Sequence, residues 1–174
     1  QPDSEDWWHL YAYFNGEQLN FDGRFQTRDH VVRGHNKMFN MLSSDSGLLT
    51  IVLEDYCGNL SEPMNLMLGD TSAEITAEMI PDDVLRAKII EIVGGNTIGN
   101  LMAYEGALDL SNLGITNLKG LELVTGATSV DLSGNTEITA IQPGTFSSMT
   151  NLSELNISGM SGLKIFDISN SSVE

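Results

Sequence analysis

The chain has one cysteine, Cys57, in 174 residues, so it has no internal disulfide framework. Basic residues are also scarce. Eight Lys and Arg stand against 24 Asp and Glu, for a net charge of −16. Such a surface repels nucleic acid and anionic membrane and favours cationic or neutral partners. It also keeps a protein soluble, which is reason enough for the charge. No apolar stretch approaches the roughly 18 residues that a membrane span needs. No signal peptide is visible, and Gln1 in place of Met points to removal of an N-terminal segment.

Catalytic signatures are missing as well. The nucleophile motif G-x-S-x-G, the phosphate loop and the Rossmann glycines do not occur. His30 and His35 lie five apart with no third zinc ligand fixed by spacing, so surface histidines are expected. Cys57 sits beside Gly58 in a turn and reads as an incidental or packed thiol. Asp82-Asp83 and Glu54-Asp55 are adjacent carboxylates, which suit a helix start and a strand end better than an acid/base pair. No enzyme activity, cofactor or metal is expected.

What is present is a phrase that returns. Leu108-Asp109-Leu110-Ser111 recurs as Val130-Asp131-Leu132-Ser133, Leu155-Asn156-Ile157-Ser158 and Phe166-Asp167-Ile168-Ser169. The spacings are 22, 25 and 11 residues. Units of 20–29 residues that alternate apolar and polar positions build stacked coils, whose usual product is a binding surface. The apolar positions point inward. The residues between them form outward columns: Asp109, Asp131, Asn156 and Asp167, then Ser111, Ser133, Ser158 and Ser169. Ala107, Ser129, Glu154 and Ile165 make a third column. This polar strip is the candidate ligand-binding site, although it carries none of the aromatic or Arg anchors common at interfaces. The 11-residue unit is either a tight coil or a slip of frame. With nothing to close the core after the fourth strand, the chain is expected to continue past Glu174 or to pair there.

Upstream, Ile80-Pro81-Asp82-Asp83 opens a helix with an apolar stripe of Val84, Leu85, Ile89, Ile92 and Val93, and Gly94-Gly95 ends it. A helix just before a repeat array reads as its cap. From Trp7 to Leu68 the pattern is strand-like. Asn15-Gly16 is a strong hairpin signal, with a return strand over 18–25. Leu48 to Leu53 and Met64 to Leu68 are further strands, and Val31 to Leu42 is ambiguous. Trp7, His9, Tyr11 and Tyr13 share one face of the first strand and Trp8, Leu10, Ala12 and Phe14 the other. The polar-tipped first set is expected to be exposed. Several short strands in so few residues suggest a small β-sandwich.

Three resemblances follow from these residues. Residues 138–155, from Ile138 through Pro143-Gly144, Phe146 and Asn151-Leu152 to Leu155, resemble the I-x-x-I-x-P-G-x-F-x-x-L-x-N-L-x-x-L run of typical leucine-rich repeats. Ile115, Leu118, Gly120, Leu121 and Glu122 resemble the I-x-x-L-x-G-L-E run of internalin-like bacterial repeats, which also carry such a cap helix. The buried asparagine of these repeats stands in register only at Asn135, with Leu113, Met160 and Ser171 at the equivalent places. Asp55, Gly58, Asn59, Ser61 and Pro63 resemble the D-x-x-G-N-x-S-x-P hairpin of bacterial immunoglobulin-like domains, and fibronectin-type-III-like domains share the look.

The resulting expectation is a polar tail (1–6), a small all-β immunoglobulin-like sandwich (7–68) and a linker (69–79). A cap helix region (80–106) and a leucine-rich-repeat solenoid of about four parallel strands (107–174) follow. The pairing resembles exported surface proteins of gut-type Bacteroidetes. That likeness implies a cell-surface protein, as an outer-membrane lipoprotein, or a secreted one, which binds protein or carbohydrate. Two rival expectations are an accessory region of a larger secreted glycan-active enzyme and a structural spacer.

Overall fold

Polar alternation and the Asn15-Gly16 turn shape the N-terminal unit. A computed structural model describes residues 6–18, 24–28, 31–33, 47–54 and 58–168. Strand β1 (Asp6–Phe14) turns back through Asn15-Gly16 into β2 (Glu17–Gln18), with Tyr13 opposite Gln18 and Phe14 opposite Glu17. Both turn residues have positive φ, 49° and 73°, as a two-residue hairpin of the right twist demands. The return strand is split: β3 (Arg24–Arg28) pairs with the first half of β1, and β4 (Val31–Arg33) pairs with β3. β5 (Gly47–Glu54) and β6 (Met64–Leu68) complete an antiparallel sheet in the order β4-β3-β1-β5-β6. Thus the hairpin expected around Gly58-Asn59 joins β5 to β6.

The described strands of this unit form one sheet, not two facing ones. Register places Tyr13, Thr50 and Asn65 in one row and Leu48 beside Met67 in the next, all on one face. That face packs on the repeats: Leu48 belongs to the repeat core, and Met67 packs against it. Tyr13 is 1% exposed, which corrects the expectation that it would meet solvent. The repeat core supplies the apolar surface that a second sheet would otherwise supply. The side chains of Trp7, Trp8 and His9, and all of His30, His35 and Cys57, lie outside the described residues.

Residues 69–79 connect the units but are not free of them. Ile75 is buried, its N–H bonds to the Asn96 carbonyl, and Ile98 N–H bonds to Ala73. Helix α1 (Asp83–Val93) starts where its sequence says. Asp82 caps it by accepting from Leu85 N–H, and Gly94 ends it at φ 73°. Leu85 and Ile89 are fully buried, while Val84 is 43% exposed and drops out of the expected stripe. A second helix, α2 (Ile98–Ala103), has its own capping box from Thr97 and Asn100.

The repeats follow. β7 (Glu105–Asp109), β8 (Gly126–Asp131) and β10 (Glu154–Asn156) form a parallel sheet in the order β10-β8-β7. A short 3₁₀ helix (Leu121–Leu123) lies between β7 and β8. β9 (Ala140–Ile141) and β11 (Ile165–Phe166) form a separate parallel pair. The expected four-strand sheet is therefore three strands plus a second corner. Val130 to Ile141 is 11 residues, and so is Leu155 to Phe166. The short unit is a slip of frame: its apparent fourth copy is the far corner of the third coil, one step along from β9.

Candidate functional site

The three-strand sheet sets the outward strip. Register aligns Ala107, Ser129 and Glu154, and likewise Asp109, Asp131 and Asn156. The ladder continues past the strands through Asn112 N–H to the Ser133 carbonyl and Gly134 N–H to the Ser158 carbonyl. Ser111, Ser133 and Ser158 are thus stacked too. Leu108, Val130, Leu110 and Leu132 are all within 1% of full burial on the opposite side. Asp167 is not in the strip. Its N–H bonds to the Ile141 carbonyl, which places it beside β9, and Ile165 pairs with Ala140. Ser169 lies outside the described residues.

The polar groups of the strip also bond to one another. Asp109 accepts from both the N–H and the hydroxyl of Ser111, at 3.1 and 2.7 Å. Asp131 accepts from Ser133 N–H at 2.8 Å, and Asn156 from Ser158 N–H at 3.1 Å. Each phrase is an Asx turn, in which the side chain takes up the backbone donor two residues on. These serine donors hold the Asp109 and Asp131 carboxyls below the usual carboxylate range, so both are charged at neutral pH. Asp131 is bound further by Asn156 Nδ2 at 3.0 Å. At the open edge, the Tyr104 hydroxyl donates to the Ala107 carbonyl at 2.8 Å, so an aromatic does flank the strip.

A second site lies where the hairpin meets the repeats. A cleft of about 310 Å³ is lined by Asn15, Glu17, Thr116, Lys119, Glu122 and Gln142 among others. Glu122 is 3% exposed. Its carboxylate accepts from Gly120 N–H at 2.8 Å. Burial pushes its carboxyl up to about 7, against the pull of its own and Gly120's N–H and of Lys119, while Glu17 adds to the rise. Gly120 is needed twice over. Its φ is 95°, and a Cβ there would strike Ile80 and the Met79 carbonyl. Sequence reasoning passed over Glu122 as a motif position. Its signal was a carboxylate set inside the apolar run Leu121-Glu122-Leu123-Val124.

Around Glu122 the two units are tied by a partly buried chain of hydrogen bonds. Thr50 donates to Asn65 Oδ1 at 2.8 Å, and Asn65 Nδ2 donates to the Ser148 carbonyl at 2.7 Å. Ser148 in turn donates to the Glu122 carbonyl at 2.6 Å. No group of three or more His, Cys, Asp or Glu among the described residues is placed to hold a metal. No helix among them is long and apolar enough to cross a membrane.

A cap helix, parallel strands about 22 to 25 residues apart and a buried asparagine under the turns define a leucine-rich-repeat solenoid. Residues 80–174 match the family model of the leucine-rich-repeat domain of the endo-β-N-acetylglucosaminidase EndoS, more than half of the chain, and the chain belongs to that family. Among solved structures, the functional domain of InlJ from Listeria monocytogenes is similar at 16% identity and a TM-score of 0.32. That alignment covers 59% of this chain and spans 31% of the other. No curated protein matches the chain.

Proposed function

We propose that the chain is a non-enzymatic interaction module, exported to the cell surface or secreted, that binds protein or glycan through the outward strip of its repeats. The observation that carries this is the register of β7, β8 and β10. It sets Asp109, Asp131 and Asn156 in one outward-facing row with Ser111, Ser133 and Ser158 beside it. Charged carboxylates and serines at strand spacing can accept from sugar hydroxyls or from a basic peptide. The test is a glycan array and a panel of host proteins at physiological salt. Asp109→Asn with Asp131→Asn removes the charge while leaving an oxygen for each Asx turn. A specific hit lost in that double variant supports the reading, and a hit that survives it overturns the assignment to the strip.

A second reading is favoured by the family match. That family is a domain of a glycan-active enzyme, so this chain would be an accessory, non-catalytic region of a larger secreted one. A full reading frame that carries a catalytic domain supports it, and a frame without one removes it. An immunoglobulin-like relationship for the N-terminal unit, a Bacteroidetes source and a lipid anchor go with the surface-module reading proposed above. The first rests on the β5–β6 hairpin with its Gly58-Asn59 turn.

A further inference from the structure

We propose that Glu122 is a proton-operated latch, whose uncharged carboxyl seats the Asn15-Gly16 turn on the repeat array and whose ionised form releases it. The geometry is that of a plug in a socket. Gly16 lies so close to the Glu122 carboxyl that a Cβ there would stand 3.1 Å from Cδ and 3.2 Å from Oε2. On the turn's other side Gly144 abuts Gly16, where a Cβ would run into the Gly16 carbonyl. Two bonds hold the turn to β5, Asn15 N–H to the Leu48 carbonyl and Leu48 N–H to Asn15 Oδ1, both 2.9 Å. The cleft of about 310 Å³ opens beside it, so the turn has room to move and water has room to follow.

Charge decides which way it moves. Among the described residues, two charged groups act on the Glu122 carboxyl: Glu17 of β2, which repels its anion, and Lys119 of the repeat loop, which attracts it. The other lining groups are neutral amides, hydroxyls and apolar side chains. A buried anion at this place has the N–H groups of Gly120 and Glu122 for solvation and a like charge on the departing strand. Release of the turn lets water reach the carboxylate and carries Glu17 away. Because the seated form holds its proton to about pH 7 and an open form to about 4.5, opening becomes easier as pH rises between those values and then levels off. The device is independent of any ligand on the outward strip.

Hydrogen exchange on the full chain from pH 4 to 8.5, corrected for the intrinsic pH dependence of exchange, tests it. Protection of the Asn15 and Leu48 amides should fall by up to tenfold per pH unit between about 4.5 and 7. The Leu113 and Ile115 amides, which bond to Asn135, exchange only through wider unfolding and should be far more protected than the hairpin amides at every pH. In Glu122→Gln the fall should vanish. In Glu17→Gln the plateau should begin at lower pH, and in Lys119→Gln at higher pH. Any one of three results overturns the latch: hairpin protection that ignores pH, a fall that persists in Glu122→Gln, or hairpin amides as well protected as Leu113 and Ile115 across the range. Should Glu122→Gln fail to fold, the opposite shifts of the Glu17 and Lys119 variants still decide, and no shift in either counts against it.

Discussion

Three buried polar side chains do separate jobs in this molecule. Asn135 is fully buried and makes four hydrogen bonds. Its Oδ1 accepts from Leu113 and Ile115 N–H, and its Nδ2 donates to the Leu110 and Leu132 carbonyls. Asn135→Ala strands those groups in the core and should cost about 2 to 4 kcal/mol in urea unfolding. Asp82 caps α1 through one oxygen. Through the other it accepts from Thr116 N–H and hydroxyl, both at 2.8 Å, which ties the cap helix to the first repeat. Burial opposes its charge, but the donors of Leu85, Thr116 and Asn117 outweigh it and hold the carboxyl low. Asp82 therefore adds stability above the ordinary carboxylate pKa, and that stability is lost as pH falls through its depressed value. Glu122 works in reverse. Its contribution is full below about 4.5 and lost as pH climbs to about 7, a loss on the order of 3 kcal/mol. Stability measured against pH should thus peak in mild acid. Glu122→Gln should flatten the neutral side, and Asp82→Asn the acid side.

The elements show where sequence pattern was enough. Helix α1 was legible because a Pro-Asp start, an apolar face and a Gly-Gly stop all agree, and each signal is local. Gly94 gives a clean check: it has φ 73°, and a methyl added there would meet nothing within 4 Å, so only conformation is at stake. Gly94→Ala should cost about 1 kcal/mol by urea unfolding. The Asn15-Gly16 hairpin was legible for the same reason. The fourth copy of the Leu-Asp-Leu-Ser phrase was misleading. Alternation is identical at both corners of a coil, so Phe166-Asp167-Ile168 reads like β8 although it pairs with β9. Pairing between distant segments is absent from a local pattern. The strip at Asp109, Asp131 and Asn156 was visible in sequence, but its bonding to Ser111, Ser133 and Ser158 was not. Glu122 was missed because its partners Gly16 and Glu17 lie more than a hundred residues away.

At the scale of the whole molecule, the β-sheet and the solenoid share a core and a partly buried hydrogen-bond chain from Thr50 to Glu122. Gly144→Ala pushes a methyl into the hairpin turn and should cost more than about 2 kcal/mol. Calorimetry should show one transition in the wild type and a separated, earlier melting of the sheet in that variant. Stability of the joined units leaves the outward strip free to be altered without unfolding. The most direct test of its role compares two double variants of equal charge. Asp109→Asn with Asp131→Asn acts within the strip, whereas Glu78→Gln with Glu137→Gln acts on exposed carboxylates outside it. Each is measured by calorimetric titration against a glycan or protein taken from the array. The expected result is binding abolished by the first pair and unchanged by the second. Equal loss in both, or retention in both, contradicts a binding role for the strip.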